Sequence, residues 1–272
     1  MDSDSIIRFQ ELTFGYGKRK IINNLTFNIP KGRVVAIMGG SGVGKTTLLK
    51  LITGLISTEK SQVIVFNKDI SALTQFEKNE LRKRIGLLFQ FGALFTDLTC
   101  FENVAFPLRE HTKMSNSLLE TTVMLKLECV GLRGAAHLMP SEISGGMSRR
   151  VALARAIALG PELILYDEPF SGLDPISLGV TAQLIRKLND ALGSTSVLVT
   201  HDVKETFEIA DYVYLLAPSD NGAILIGSGT PKEIVQNKNP FIQQFINGNQ
   251  NGPVQFHYPV EQRKKYFLRE YE

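Results

Sequence analysis

The stretch Gly39-Gly40-Ser41-Gly42-Val43-Gly44-Lys45-Thr46 has the spacing G-x-x-x-x-G-K-[ST], and its flanks decide how it is read. Before it runs Val34-Val35-Ala36-Ile37-Met38, apolar and strand-like; after it Thr47-Leu48-Leu49-Lys50-Leu51 has helical spacing. A glycine-rich turn between a strand and a helix aims successive backbone N–H groups at an anion, and the helix N-terminus adds its positive dipole there. In that setting Lys45 brings a full charge to the β- and γ-oxygens of a triphosphate, and Thr46 offers a hydroxyl to Mg²⁺. The candidate nucleotide contacts are therefore the residues of this loop together with Thr47.

The chain has 272 residues, 43% of them hydrophobic, which is ordinary for a globular protein and excludes global disorder. Its longest apolar runs, such as Leu163-Ile164-Leu165-Tyr166 and Ser196-Val197-Leu198-Val199, have strand length and fall short of the roughly 18 residues a bilayer span needs. The start, Met1-Asp2-Ser3-Asp4-Ser5, is acidic and polar, unlike a secretory signal. Cys100 and Cys129 are too few for a disulfide framework or a zinc cluster and suit a reducing cytosol. A net charge of +3 is too weak to argue for a nucleic-acid partner.

Residues 6–38 read as short β runs: Ile6-Ile7-Arg8-Phe9, then Leu25-Thr26-Phe27-Asn28-Ile29, then the strand entering the glycine loop. From Thr99 to Leu159 the pattern is helical, with one run over 118–127 and another from 149 to 159. Strand runs return at 163–166 and 196–200 with a helical stretch, 176–192, between them, the pattern of crossovers in a largely parallel sheet. The expected fold class is α/β: a P-loop NTPase core with a β-rich N-terminal subdomain and an inserted α-helical subdomain at about 92–160. A single closing helix is expected over 231–248.

Two further motifs carry chemistry. Leu163-Ile164-Leu165-Tyr166-Asp167-Glu168-Pro169 is a buried-type strand ending in adjacent carboxylates: Asp167 suits a metal shell and Glu168 suits polarising an attacking water. Neighbouring strand residues point to opposite faces, so both acids serve one site only if the strand ends there. Ser144-Gly145-Gly146-Met147 is a capped helix start with room for an anion, and on its own also reads simply as a capped helix.

Taken together, the glycine loop, the Ser-Gly-Gly turn and Asp167-Glu168 resemble the ATP-binding cassette (ABC) ATPases over residues 6–237. The resemblance implies ATP and Mg²⁺ as ligands. It also implies a head-to-tail homodimer in which Ser144, Gly145 and Gly146 of one subunit complete the other's site, so that a monomer hydrolyses poorly. By the same resemblance Tyr16, in Phe14-Gly15-Tyr16-Gly17, is the residue stacking on adenine. Gln90 is the glutamine at Mg²⁺ and the attacking water; Asp174, in Ser171-Gly172-Leu173-Asp174, belongs to a dimer-contact loop; His201 is the γ-phosphate sensor. Lys45, Gln90, Glu168 and His201 are the expected catalytic set, with Thr46, Gln90 and Asp167 around the metal. Gly40 stands where many relatives carry proline or alanine, and Met147 where most carry glutamine.

The phenylalanine-rich segment after Gln90, including Phe89, Phe91, Phe95 and Phe106, lies where ABC transporters receive the coupling helix of a membrane permease; alternatively these rings build the helical lobe's own core. Ser144 to Met147, Asp167-Glu168-Pro169-Phe170 and Asp174-Pro175-Ile176 are similar to the ATPases of Mla (maintenance of lipid asymmetry) phospholipid transporters of Gram-negative bacteria. That likeness implies a permease, a cytoplasmic STAS-domain protein and a periplasmic MCE-domain protein as partners, phospholipid as the cargo, and a place on the cytoplasmic face of the inner membrane. Residues 238–272 then form a C-terminal extension whose 252–259 segment reaches the opposite subunit, while 260–272 alternatively form a solvated end. ATPases of amino-acid or lipoprotein transporters share the catalytic residues and stay as alternatives, as does a soluble ABC ATPase.

Overall fold

The computed structural model describes residues 4–253. The chain opens with a long hairpin, β1 (Ser5–Tyr16) and β2 (Arg19–Pro30), and continues through β3 (Val34–Gly39), the glycine loop and α1 (Lys45–Ile52). Two short strands, β4 (Val63–Val65) and β5 (Lys68–Asp69), precede α2 (Gln75–Lys83) and β6 (Ile85–Leu88). Three helices follow, α3 (Cys100–His111), α4 (Asn116–Cys129) and α5 (Gly145–Ala156). The chain then returns through β7 (Leu163–Asp167), α6 (Pro175–Leu192), β8 (Thr195–Thr200), α7 (Val203–Ile209) and β9 (Tyr212–Ala217). It ends with β10 (Ile224–Gly229), α8 (Pro231–Gln236) and α9 (Pro240–Asn247).

Two sheets result. A four-stranded antiparallel sheet has the order β2-β1-β4-β5, and a six-stranded sheet has the order β10-β9-β3-β8-β7-β6, parallel except for β10. The parallel strands are largely apolar because both faces are covered. Val35, Ile37, Leu163, Leu165, Val197 and Val199 face a core shared with α1 and the antiparallel sheet. On the other face, Ile164, Tyr166 and Leu198 share one apolar layer with residues of α3, α4, α5 and α6. Ala36, Met38, Val213 and Leu215 pack with Ile234 of α8 and Ile242 of α9.

Two expectations are corrected. The opening β runs are far longer than 6–9 and 25–29 because the ladder continues through bulges: Phe9 pairs with Phe27, but the next core pair is Leu12 with Leu25. Glu11, at φ 47°, takes up the extra residue, so the apolar alternation breaks while the strand does not. The closing segment is two helices rather than one. Pro240 cannot continue α8, and Asn239 starts α9 instead by accepting from the Phe241 N–H at 2.9 Å. The helix α2 has no counterpart among the expected elements; Thr74 and Glu77 form a reciprocal capping box at its start. No helix among the described residues is long and apolar enough to cross a membrane.

Asn103 on α3 is fully buried and holds the loop before its own helix. Its amide donates to the carbonyls of Phe95, Leu98 and Thr99, and its Oδ1 accepts from the Phe95 N–H at 2.9 Å. Asn103→Ala strands these groups, and the expected loss is about 2–4 kcal/mol of unfolding free energy, read from urea denaturation. A change below a few tenths of a kcal/mol would mean that the loop is held by other contacts.

Candidate functional site

The glycine loop is shaped by what crowds it. A Cβ on Gly39 would stand 2.6 Å from the Leu216 carbonyl oxygen, and one on Gly44 would stand 2.7 Å from Ile21 Cγ2. Gly44 also caps α1 at φ 88°, a left-handed conformation that glycine adopts freely. Gly40 has open space around it, so a side chain there is tolerated. Val43 turns into the core, leaving only its main chain for a ligand, while Ser41 and Gly42 are exposed. Lys45 is buried, and its ammonium donates to the carbonyls of Gly39 at 2.8 Å and Gly40 at 3.1 Å. Thr47 is buried beside it.

The strand β7 ends at Asp167, and Glu168 adopts φ 47°. This left-handed turn swings the second carboxylate round to the side of the first, which an extended strand forbids. The Thr46 hydroxyl donates to Asp167 Oδ1 at 3.0 Å. Glu168 Oε1 lies 3.2 Å from the Lys45 ammonium, and its Oε2 lies 2.9 Å from Nδ1 of His201, at the end of β8. Burial, opposed by the Thr46 hydroxyl, raises the Asp167 carboxyl above the ordinary carboxylate range. Lys45, Thr46, Asp167, Glu168 and His201 thus form one contiguous cluster from three neighbouring parallel strands.

Gln90 joins this cluster indirectly, its amide donating to the Ser171 hydroxyl at 3.4 Å. Ser144 caps α5 by accepting from the Met147 N–H at 3.2 Å, and Gly146 approaches Ser177 on α6. Among the described residues no hydrogen bond or ion pair joins Ser144, Gly145 or Gly146 to the glycine loop of the same chain. Met147 is partly buried and packs on the helical core. Asp174 caps α6, accepting from the N–H groups of Ile176 and Ser177, and hydrogen bonds from Ser177 hold its carboxyl below the usual range. Tyr16, at the hairpin tip, is half exposed and meets Phe14 edge-on.

Phe89, Phe95 and Phe106 line one open groove of about 800 Å³ with Phe76 of α2, and Arg155 stands at its wall. Phe91 is 84% exposed and lies outside it. The groove thus takes exposed aromatics from both sides, whereas Phe101 packs on the helical core. The expectation that the 252–259 segment crosses to a second subunit falls, from residue 254 onward, outside the described residues.

Sequence reasoning missed Arg149, which no motif singled out. It is buried, and its guanidinium donates to the carbonyls of Pro169, Ser171 and Gln90. One of two adjacent arginines, it differs from Arg150 only in its place on α5: Arg150 is half-buried and donates to the Val130 carbonyl.

A parallel sheet with a strand–glycine-loop–helix unit and carboxylates at the end of the next strand but one defines a P-loop nucleotide hydrolase. Residues 22–171 match the ABC transporter family, and the chain belongs to it as an ATP-binding cassette ATPase. It is 51% identical over 259 residues to the intermembrane phospholipid transport system ATP-binding protein MlaF of Haemophilus influenzae, covering 95% of this chain and 97% of the relative. Against the MlaF protein of Escherichia coli K12 it is 49% identical over 256 residues, 94% of each chain. Among solved structures it resembles the dimeric ATP-binding cassette MJ0796 in a post-hydrolysis state bound to ADP and Pi. The TM-score is 0.73 at 31% identity, over 83% of this chain and 98% of that one.

Proposed function

We propose that this chain is the ATP-hydrolysing subunit of a transporter that moves phospholipid between membranes, working as a homodimer on a separate permease. The chemistry rests on one observation above the rest: a single carboxylate, Glu168, touches both the loop lysine and His201. A triphosphate in the cradle draws the Lys45 ammonium from the Gly39 and Gly40 carbonyls and from Glu168. That leaves the Glu168 carboxylate to accept a proton from water, with His201 placed to orient the γ-phosphate or the water. Gln90 is assigned to the attacking water, Tyr16 to the adenine, and the Ser144 turn with Asp174 to the second subunit's side of the site.

Thr46 and Asp167 fit Mg²⁺, since a hydroxyl and a carboxylate 3.0 Å apart are hard oxygen ligands at the mouth of the cradle. Magnesium, when bound, neutralises charge on the β- and γ-phosphates. Asp167 must be ionised to hold it. Because burial raises its pKa, acidification should weaken magnesium activation at a higher pH than an ordinary aspartate would allow. A pH series of magnesium titrations checks this; a magnesium requirement that does not change with pH would remove Asp167 from the shell.

His201→Ala should keep ATP binding while turnover drops by about 10² or more, measured as steady-state phosphate release alongside equilibrium nucleotide binding. Unaltered turnover would reduce the histidine to a strand-end contact.

The cargo reading is supported by relatives that carry the name of an intermembrane phospholipid transport system over nearly their whole length. Permease, STAS-domain and MCE-domain partners, and a seat on the cytoplasmic face of the inner membrane, follow from that likeness. The aromatic groove is the surface we assign to the permease. Purification of the tagged chain from detergent-solubilised membranes tests this. Co-elution of an MCE-domain protein, a STAS-domain protein and phospholipid is expected; an amino-acid permease or lipoprotein-release machinery would overturn the cargo while leaving the ATPase chemistry in place.

A further inference from the structure

Arg149 is 7% exposed, and among the described residues no ion pair involves it. A buried guanidinium without a carboxylate is unfavourable, and burial pushes its pKa down. Its place is not explained by packing, since an apolar side chain would fill the same volume without that desolvation. What sets it apart is the identity of its acceptors. Nη1 donates to the Pro169 and Ser171 carbonyls, each at 2.8 Å, and Nη2 donates to the Gln90 carbonyl at 2.5 Å.

These acceptors bracket the cluster. Pro169 follows Glu168 directly, and the Ser171 N–H donates to the Glu168 carbonyl at 3.2 Å. The Ser171 hydroxyl in turn accepts from the Gln90 side-chain amide. One planar cation therefore holds Gln90 by its main chain and, through Ser171, by its side chain, and holds the turn that aims Glu168. It does so from α5, the helix whose first turn carries Ser144, Gly145 and Gly146.

We propose that Arg149 is a positioning residue for hydrolysis, its guanidinium locking the Gln90 segment and the 169–171 turn onto α5 so that Gln90 and Glu168 are presented together. The inference rests on the assignment of Gln90 and Glu168 to the reaction. A fork of several donors in one plane suits this task, and lysine, a compact point charge, cannot reproduce it.

The test uses the full-length chain in its co-purified membrane complex, with Arg149→Met, Arg149→Lys, Gln90→Ala and the double variants compared by ATPase kinetics. Arg149→Met should lower kcat by about 10-fold or more with KM for ATP within about threefold, since misplacement of a reacting group acts on the chemical step. Arg149→Lys, which keeps the charge and the buried stem, should fall between Met and the native chain. In the Gln90→Ala background either change should cost less than in the native chain, because the part that acts through the Gln90 side chain is already lost while the part that acts through the 169–171 turn and Glu168 remains. Should Arg149→Met fail to fold, the lysine series decides in the same way. A native kcat in Arg149→Lys and Arg149→Met, or a loss fully additive with Gln90→Ala, would overturn the proposal. Native turnover in Gln90→Ala alone would instead overturn the assignment of Gln90 on which it rests.

Discussion

Glu168→Gln is expected to bind ATP at near-native affinity while turning it over about 10²–10⁴-fold more slowly. An amide has the shape of the carboxylate but cannot take a proton from water, so the loss falls on the chemical step, roughly 3–5 kcal/mol of barrier. The structure adds a second effect. Glu168 faces the buried Lys45 at 3.2 Å, and the neutral amide no longer competes with phosphate for that ammonium. Affinity should therefore be held or improved, and nucleotide should be retained in a closed dimer. Equilibrium binding of ATP with single-turnover hydrolysis separates the two quantities. Native turnover in this variant would show that Glu168 is not the base.

Lys45→Ala should fail at the opposite step. Removing the loop ammonium removes charge-assisted hydrogen bonds to phosphate, each about 1.5–3 kcal/mol, so ATP affinity should fall about 10–100-fold and turnover should be lost with it. The folded chain should also be affected, because Lys45 meets the carbonyls of Gly39 and Gly40 as well as a carboxylate that is only 12% exposed. Glu168 keeps His201 as a neighbour, which limits that penalty. Isothermal titration with ATP, with thermal unfolding as the companion measurement, tests both parts. Affinity within twofold of native would move the phosphate contact to the backbone amides alone.

The glycine loop was legible because its meaning is local: strand, loop and helix adjoin in sequence and supply the cradle between them. The paired carboxylates were legible as types. Their convergence was not, since it depends on a left-handed turn at Glu168, a non-glycine residue that no propensity places there. The split at Pro240 was within reach, as Asn239-Pro240 is a breaker signal set inside an apolar periodicity that hid it. Glu11 defeated the strand reading for a related reason, because a bulge restores register only through its partner strand. Arg149 was out of reach altogether. Its role lies in carbonyl oxygens of residues 59 and about 20 positions away along the chain, and carbonyls have no sequence signature.

The layer beneath the three helices has a consequence for how such proteins diversify. Ile164, Tyr166 and Phe170 lie in one apolar cluster with Val104 of α3, Val123 of α4 and Val151 of α5. A chimaera that imported another cassette's 92–160 segment would bring only half of that interface, and volume mismatches in a close-packed layer are felt at the level of a single methylene. Exchange of the segment should therefore succeed only when β7 and α6 travel with it, so the aromatic groove can be rebuilt by point changes at its rim far more readily than by shuffling whole segments.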